Sequence, residues 1–299
     1  MRIFTELTKA VSEEETVLAL GKFDGIHLGH ELLLSELLKE KEKGYAAAVI
    51  AFTMDLAEGR LSTTEEKAEL FERIGVDLLI ECPFTEEIKH MEAMDFLRLL
   101  KTKLRVSCIV AADDVSFGYR RLGNAALLRT AGPELQLRSV IVTKRKEEGR
   151  DISSTWIRQE LSEGRIEHAN RLLGYPYFLT GEVIHGTGLG KKFFHRPTLN
   201  LIPHKDKLLP PYGVYLTETE ICGRVFSGIS NLGVKPTVSD VPALGLETHL
   251  LDYQGNLYGE LAKTSFLRFL RKERKFSSQE ELRAQIEEDT LFAKHYFGV

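Results

Sequence analysis

The chain has 299 residues, 43% hydrophobic and 28% charged, with a net charge of −4 at pH 7; this length exceeds most single hydrophobic cores, so two domains are expected. A slightly acidic chain lacks the summed positive field of general nucleic-acid binders, so no nucleic-acid partner is expected, and small phosphates bound at a local site suit it better. Cys82, Cys108 and Cys222 are odd in number and have no CxxC spacing, and no apolar run resembles a signal peptide or a membrane span, which argues against a disulfide framework and a structural zinc and points to a reducing, cytoplasmic location away from the membrane.

In chain order, the first half alternates short apolar runs with helical patterns. Val17 to Leu20 reads as a strand, Glu31 to Glu42 as a helix closing at Gly44, and Ala46 to Phe52 as the next strand, a βαβ signature. A second helix is marked by Thr63 as N-cap, Glu66 as its capping-box partner and Gly75 as its stop. Strand-like "DLLIEC", a helix from Glu86 to Leu100, "CIVAA" from Cys108 and "LQLRSVIVTK" from Leu135 continue the alternation, which predicts a parallel sheet wrapped by helices. A helical run from Ser153 to Gly174 is followed by Pro176, where the domain boundary is expected, giving domains 1–176 and 177–299. Beyond it, "YFLTGEVI", "GVYLTETEI", "GRVFSGISNLG", "LETHLL" and "KTSFLRFL" read as an antiparallel barrel or sandwich, and Ser278 to Tyr296 as a closing helix.

The run "GKFDGIHLGH" joins the first strand to the first helix. Gly21, Gly25 and Gly29 permit close backbone approach, and a helix N-terminus attracts phosphate through free N–H groups and its dipole. His27 and His30, three apart, face the same ligand and can share one phosphate. A metal site is the weaker alternative, because the motif offers no third ligand. "ISSTWIRQEL" supplies a second group of donors: Ser153, Ser154 and Thr155 open a helix, and Arg158 lies a turn further on. The plain alternative for these hydroxyls is N-capping.

Position for position, Gly21 to His30 resembles the GxFDxxHxGH fingerprint of nucleotidyltransferases, which adds Phe23 and Asp24 to the ATP-binding set. With "ISSTxIR" after it, the chain resembles the bacterial bifunctional riboflavin kinase/FMN adenylyltransferases. That resemblance implies a Rossmann-like α/β nucleotidyltransferase domain followed by an antiparallel β-barrel kinase domain with a C-terminal helix. It implies ATP, riboflavin and FMN as substrates with Mg²⁺ as cofactor, and His27, His30 and Arg158 as catalytic for adenylyl transfer. Within "AADDVSFGYRRLGN" it implies a flavin-side role for Asp114, Phe117 and Arg121, in a stretch that by itself reads as a surface loop.

The second half carries "HGTGLGKKFFHRPTLNL", in which Gly186, Gly188 and Gly190 can wrap phosphates and Thr198 and Asn200, two apart on a strand, can meet one hard cation. The resemblance makes this the family's PTxN motif and makes Glu247 the base that accepts the riboflavin hydroxyl proton as it attacks the γ-phosphate. By itself Glu247 reads as a solvent-facing strand residue. Two departures stand out: "AFTMDLAEG" replaces the family's TFxPHP, and "GKKFFHRPTLN" replaces GxxGFPTxN. They leave open a flavin-binding regulatory relative or an enzyme with one of the two activities. Oligomeric state is not legible.

Overall fold

Strand and helix patterns alternate through the first half of the chain, and most become the element their spacing requires. The computed structural model describes residues 1–53, 59–185, 198–235, 243–251, 253, 255 and 257–299. Their contacts separate into two units, Met1–Ser154 and Thr155–Val299.

In the first unit, β1 (Arg2–Phe4), β2 (Thr16–Gly21), α1 (Glu31–Lys41), β3 (Ala46–Thr53), α2 (Thr64–Ile74), β4 (Leu78–Pro83), α3 (Glu86–His90), α4 (Ala93–Leu104) and β5 (Val106–Ala112) follow in order. A ribbon of β6 (Ser116–Phe117) and β7 (Gly123–Asn124), then α5 (Ala125–Leu135), β8 (Arg138–Val142), and the pair β9 (Lys146–Glu147) and β10 (Arg150–Asp151) complete it. The main sheet is parallel throughout, in the order β1-β4-β3-β2-β5-β8. Both faces are buried, and period-two alternation divides the strands: Leu18, Leu20, Ala48 and Ile50 pack on one side, Val17, Ala19, Ala47 and Val49 on the other. Strand order reverses beside β2, so Gly21 delivers the fingerprint at the crevice where open α/β sheets bind ligands.

The α2 cap forms as expected: Thr63 Oγ1 accepts from Glu66 N at 3.2 Å, Glu66 Oε2 accepts from Thr63 N at 3.0 Å, and Gly75 ends the helix at φ 99°. Two expectations are corrected here. The helix expected from Glu86 to Leu100 is two helices, because Met91 is extended (ψ 122°) and its carbonyl accepts from Tyr119 N at 2.7 Å. The strand expected from Leu135 starts at Arg138, because Asn124 caps α5, its Oδ1 accepting from Leu127 N at 3.0 Å, and that helix runs through Pro133 to Leu135.

The second unit begins within α6 (Ser154–Ser162) and continues with α7 (Ile166–Leu173), β11 (Phe178–Glu182), β12 (Thr198–Leu201), β13 (Gly213–Ile221), β14 (Arg224–Lys235), β15 (Ala243–Leu250), β16 (Leu261–Lys272) and α8 (Gln279–Phe297). The single helical run expected from Ser153 to Gly174 is therefore also two helices; Gly164, at φ 75°, turns the chain between them. Asn170 of α7 donates to Phe266 O and accepts from Tyr177 N, both at 2.8 Å, which ties α7 to β16.

These six strands form one antiparallel sheet in the order β11-β16-β13-β14-β15-β12. Its edges meet where Ile184 N donates to Asn200 O at 2.9 Å, so the sheet curls into a barrel. On one face, fully buried Thr217, Ser230 and Thr248 link their hydroxyls across three strands at 2.7 Å each. The opposite face presents Val214, Leu216 and Ile229 to Ala293 of α8.

Candidate active sites

The first site is built on close contacts that only glycine permits. A Cβ on Gly21 would stand 2.9 Å from the Phe23 ring, and one on Gly29 would stand 2.4 Å from Ile152 O and 2.8 Å from His27 Nδ1. Phe23 itself adopts φ 44° and is fully buried, with its ring 4.8 Å from that of His30 and 5.3 Å from that of Phe71. Gly25 completes the turn at φ 69°. Asp24 holds it from two directions, its Oδ1 accepting from Leu61 N at 2.8 Å and its carbonyl accepting from Ser154 Oγ at 2.7 Å. Thus Ile152 and Ser154 lie directly against the histidine turn, although 122 and 124 positions separate them in sequence from His30.

His27 and His30 bracket a single 3₁₀ turn ahead of α1, with His30 N donating to His27 O at 2.8 Å. Their rings stack at 3.8 Å between centroids. His27 is 5% exposed, and its Nδ1 is buried without a hydrogen-bond partner. Burial, helped by the nearby Lys144 cation, lowers the His27 pKa to about 4; burial, His27 and Lys144 hold His30 well below the usual imidazole range. Both rings are neutral at neutral pH, so each has one N–H donor rather than two. His30 Nδ1 accepts from His27 N at 3.4 Å, which assigns the His30 proton to Nε2. Lys144, which no sequence motif singled out, pairs with Asp114.

The ribbon segment has a divided character. Phe117 is buried, its ring tilted against that of Phe96 with centroids 5.4 Å apart in the core, so it anchors the segment rather than facing solvent. A Cβ on Gly118 would stand 2.6 Å from Ala93 Cα, and one on Gly123 would stand 2.5 Å from the Phe117 ring. Arg120 and Arg121, at φ 52° and 61°, bend sharply above this anchor, and Arg121 is exposed. Thr155 and Arg158 fall on α6 in the second unit, the first exposed and the second half-buried.

In the second unit, strand pairing gathers residues distant in sequence. Asn200 of β12 and Asn231 of β14 both stand directly opposite Glu247 of β15, one on each side. Thr198, two residues before Asn200, donates from Oγ1 to Glu247 Oε1 at 3.0 Å. Glu247 therefore lies on the α8-facing side and is half-buried, not a free solvent-facing carboxylate. Gly186, Gly188 and Gly190 and the altered stretch before Thr198 lie outside the described residues, as do residues 54–58 of "AFTMDLAEG".

Comparison with known proteins bears on both sites. A family model described as FAD synthetase matches residues 9–156, and one described as riboflavin kinase matches residues 173–297. A bifunctional riboflavin kinase/FMN adenylyltransferase from Listeria monocytogenes is 34% identical over 94% of this chain and 92% of its own length. The chain belongs to that family. Other bifunctional riboflavin kinase/FMN adenylyltransferases, from Escherichia coli K12 and Bacillus subtilis 168, are 35% and 33% identical, each over 96% of this chain. A crystal structure of a macrolide-efflux protein from Streptococcus pneumoniae has a TM-score of 0.86 at 25% identity, covering 98% of both chains.

As a bifunctional riboflavin kinase/FMN adenylyltransferase, the chain phosphorylates riboflavin to FMN with ATP and adenylylates FMN to FAD with a second ATP, releasing pyrophosphate. The two modules named by the family models correspond to the α/β unit and the barrel unit. Among the described residues no helix is long and apolar enough to cross a membrane, and no group of three or more His, Cys, Asp or Glu is placed to hold a metal.

Proposed function

We propose that the two reactions use separate sites, adenylyl transfer at the His27–His30 turn and riboflavin phosphorylation at the Thr198–Asn200–Glu247 row. The observation that carries this reading is the pairing that puts Asn200 directly opposite Glu247, with Thr198 hydrogen-bonded to the same carboxylate. The chain divides accordingly, residues 1–176 serving the first reaction and 177–299 the second, with α6 and α7 as the connecting stretch. A cytoplasmic location and small-molecule partners follow from the same reading.

At the first site, the glycine-lined turn brings the backbone and the neutral His30 Nε2–H toward an ATP phosphate at the start of α1. Donors fixed by packing stabilise negative charge on the non-bridging oxygens of the transferring phosphoryl group without reorganising as it forms. Stacking against His27 and a tilted contact with Phe23 fix the His30 ring. Ser154 keeps the turn closed through the Asp24 carbonyl. Asp114 and Arg121 serve the flavin side, on a segment anchored by Phe117.

At the second site, the donor set fits Mg²⁺. Asn200 uses its Nδ2 to donate to Thr198 O at 3.4 Å, which leaves Oδ1 for a cation beside the Thr198 hydroxyl. When bound, Mg²⁺ neutralises charge on the ATP phosphates. Glu247 takes the proton of the attacking riboflavin hydroxyl, and the phosphate-wrapping role expected for Gly186, Gly188 and Gly190 completes the ATP end. Separate assays test the division: a folded His30→Ala protein should convert riboflavin to FMN but not FMN to FAD, and Glu247→Gln should do the reverse. Equal loss of both reactions in either variant would defeat it.

A further inference from the structure

The row that holds Glu247 extends to a residue no motif pointed to. Asn231 stands opposite Glu247 on the side away from Asn200, so the three strands present Asn231, Glu247 and Asn200 in one line across the sheet. Strands lie about 4.8 Å apart, which separates the two asparagine backbones by roughly 9.6 Å with the carboxylate between them. Asn231 also pairs with Val214 and shares the face that packs toward α8. Its Oδ1 is buried and has no hydrogen-bond partner. A buried amide oxygen normally finds a donor, and leaving one unsatisfied destabilises the fold unless a ligand supplies the donor.

We propose that Asn231 is a substrate-positioning residue of the kinase site, its side-chain oxygen accepting a hydrogen bond from a hydroxyl of the riboflavin polyol chain. This rests on the assignment of phosphorylation to the Glu247 row. In-line phosphoryl transfer puts the attacking oxygen and the leaving phosphate on opposite sides of the transferring phosphorus. Thr198 and Asn200 take the phosphate and cation side, so the attacking polyol approaches Glu247 from the β14 side, where Asn231 stands. A cation that Thr198 and Asn200 would hold has no need of an oxygen on the far side of the carboxylate. The unsatisfied acceptor and the incoming donor are thus complementary.

The test is Asn231→Leu, which keeps the approximate shape and removes the unsatisfied polar atom. Its thermal midpoint should equal or exceed that of the parent protein, while the KM for riboflavin rises about five- to tenfold, with little change in kcat and none in Mg²⁺ dependence. FMN to FAD conversion should be unchanged. An unaltered riboflavin KM would overturn the proposal, as would a defect that added Mg²⁺ corrects. Should Asn231→Leu fail to fold, Asn231→Val gives the same readouts with a β-favouring residue that carries no acceptor. Glu247→Gln, assayed in parallel, separates the two levels: if it phosphorylates riboflavin normally the site reading itself fails, whereas a silent Glu247→Gln beside a normal Asn231→Leu removes only the role of Asn231.

Discussion

The imidazoles of His27 and His30 stack with their planes 19° from parallel and their centroids 3.8 Å apart. Two charged rings would repel at that separation, and burial removes the water that would screen them. The pair is therefore neutral when folded, and the Lys144 cation reinforces that state.

A pH dependence of stability follows. Unfolded, His27 has its ordinary pKa of 6.5, and folded it is lowered to about 4, so the unfolded chain binds more protons as pH falls between these values. Stability from this group is fully present above pH 6.5 and declines below it, by about 2 kcal/mol between pH 7 and 5. Urea midpoints measured at these two pH values should differ less in His27→Gln than in the parent. An identical pH slope in both proteins would contradict a buried neutral His27.

Loss of the His30 donor should act on rate rather than on folding. His30→Ala is expected to slow FMN to FAD conversion on the order of 10²- to 10³-fold. Single-turnover measurement with saturating ATP and FMN separates this from weakened binding.

Gly29→Ala tests the seam between the histidine turn and Ile152. The new methyl would meet Ile152 O at 2.4 Å and His27 Nδ1 at 2.8 Å, so turn and carbonyl must part. A displacement of about 1 Å at a reacting centre can cost on the order of 10²-fold, and FAD formation should fall accordingly while FMN formation persists. Equal FAD yields from parent and variant would show that the seam yields at no cost to the site.

Glu247→Gln preserves size and an acceptor for Thr198 while removing the base, and should cut FMN formation ~10²- to 10⁴-fold. Thr198→Ala should behave differently, with a raised Mg²⁺ requirement that high Mg²⁺ partly restores. Steady-state assays across a Mg²⁺ series distinguish the two; matching responses would mean that Thr198 acts only through Glu247.

Lys67 and Glu81 form a buried ion pair at 2.9 Å, with side chains 5% and 7% exposed, and Thr53 Oγ1 donates to the same carboxylate at 2.6 Å. The pair ties α2 to the ends of β3 and β4. Lys67→Met leaves an uncompensated carboxylate and should destabilise the protein by about 3–5 kcal/mol, whereas Lys67→Met with Glu81→Leu should recover most of that loss. Chemical denaturation of both variants checks the difference, and a double variant no better than the single would assign the loss to packing instead.

Features set by neighbouring residues were legible in the amino-acid sequence. Thr63, Glu66 and Gly75 bound a helix because capping and left-handed turns are local; the Gly21 to His30 run announced a tight glycine turn from strand to helix because its glycines, strand end and helix start are contiguous. Short continuous apolar runs identified the parallel strands buried on both faces, and runs of β-branched and aromatic residues between Gly or Pro turns identified the antiparallel ones. Only the tertiary structure decided what depends on distant partners. Met91 breaks the expected helix to receive Tyr119 N, and β1, three residues long, exists because β4 offers it a parallel edge. Glu247 read as a solvent-facing residue until β12 and β14 placed Asn200 and Asn231 on its two sides. The charge state of His27 and His30 belongs to the same class, since a model imidazole titrates near neutrality and only the packing of Phe23, Ile152 and Lys144 around the turn removes its water and disfavours its proton.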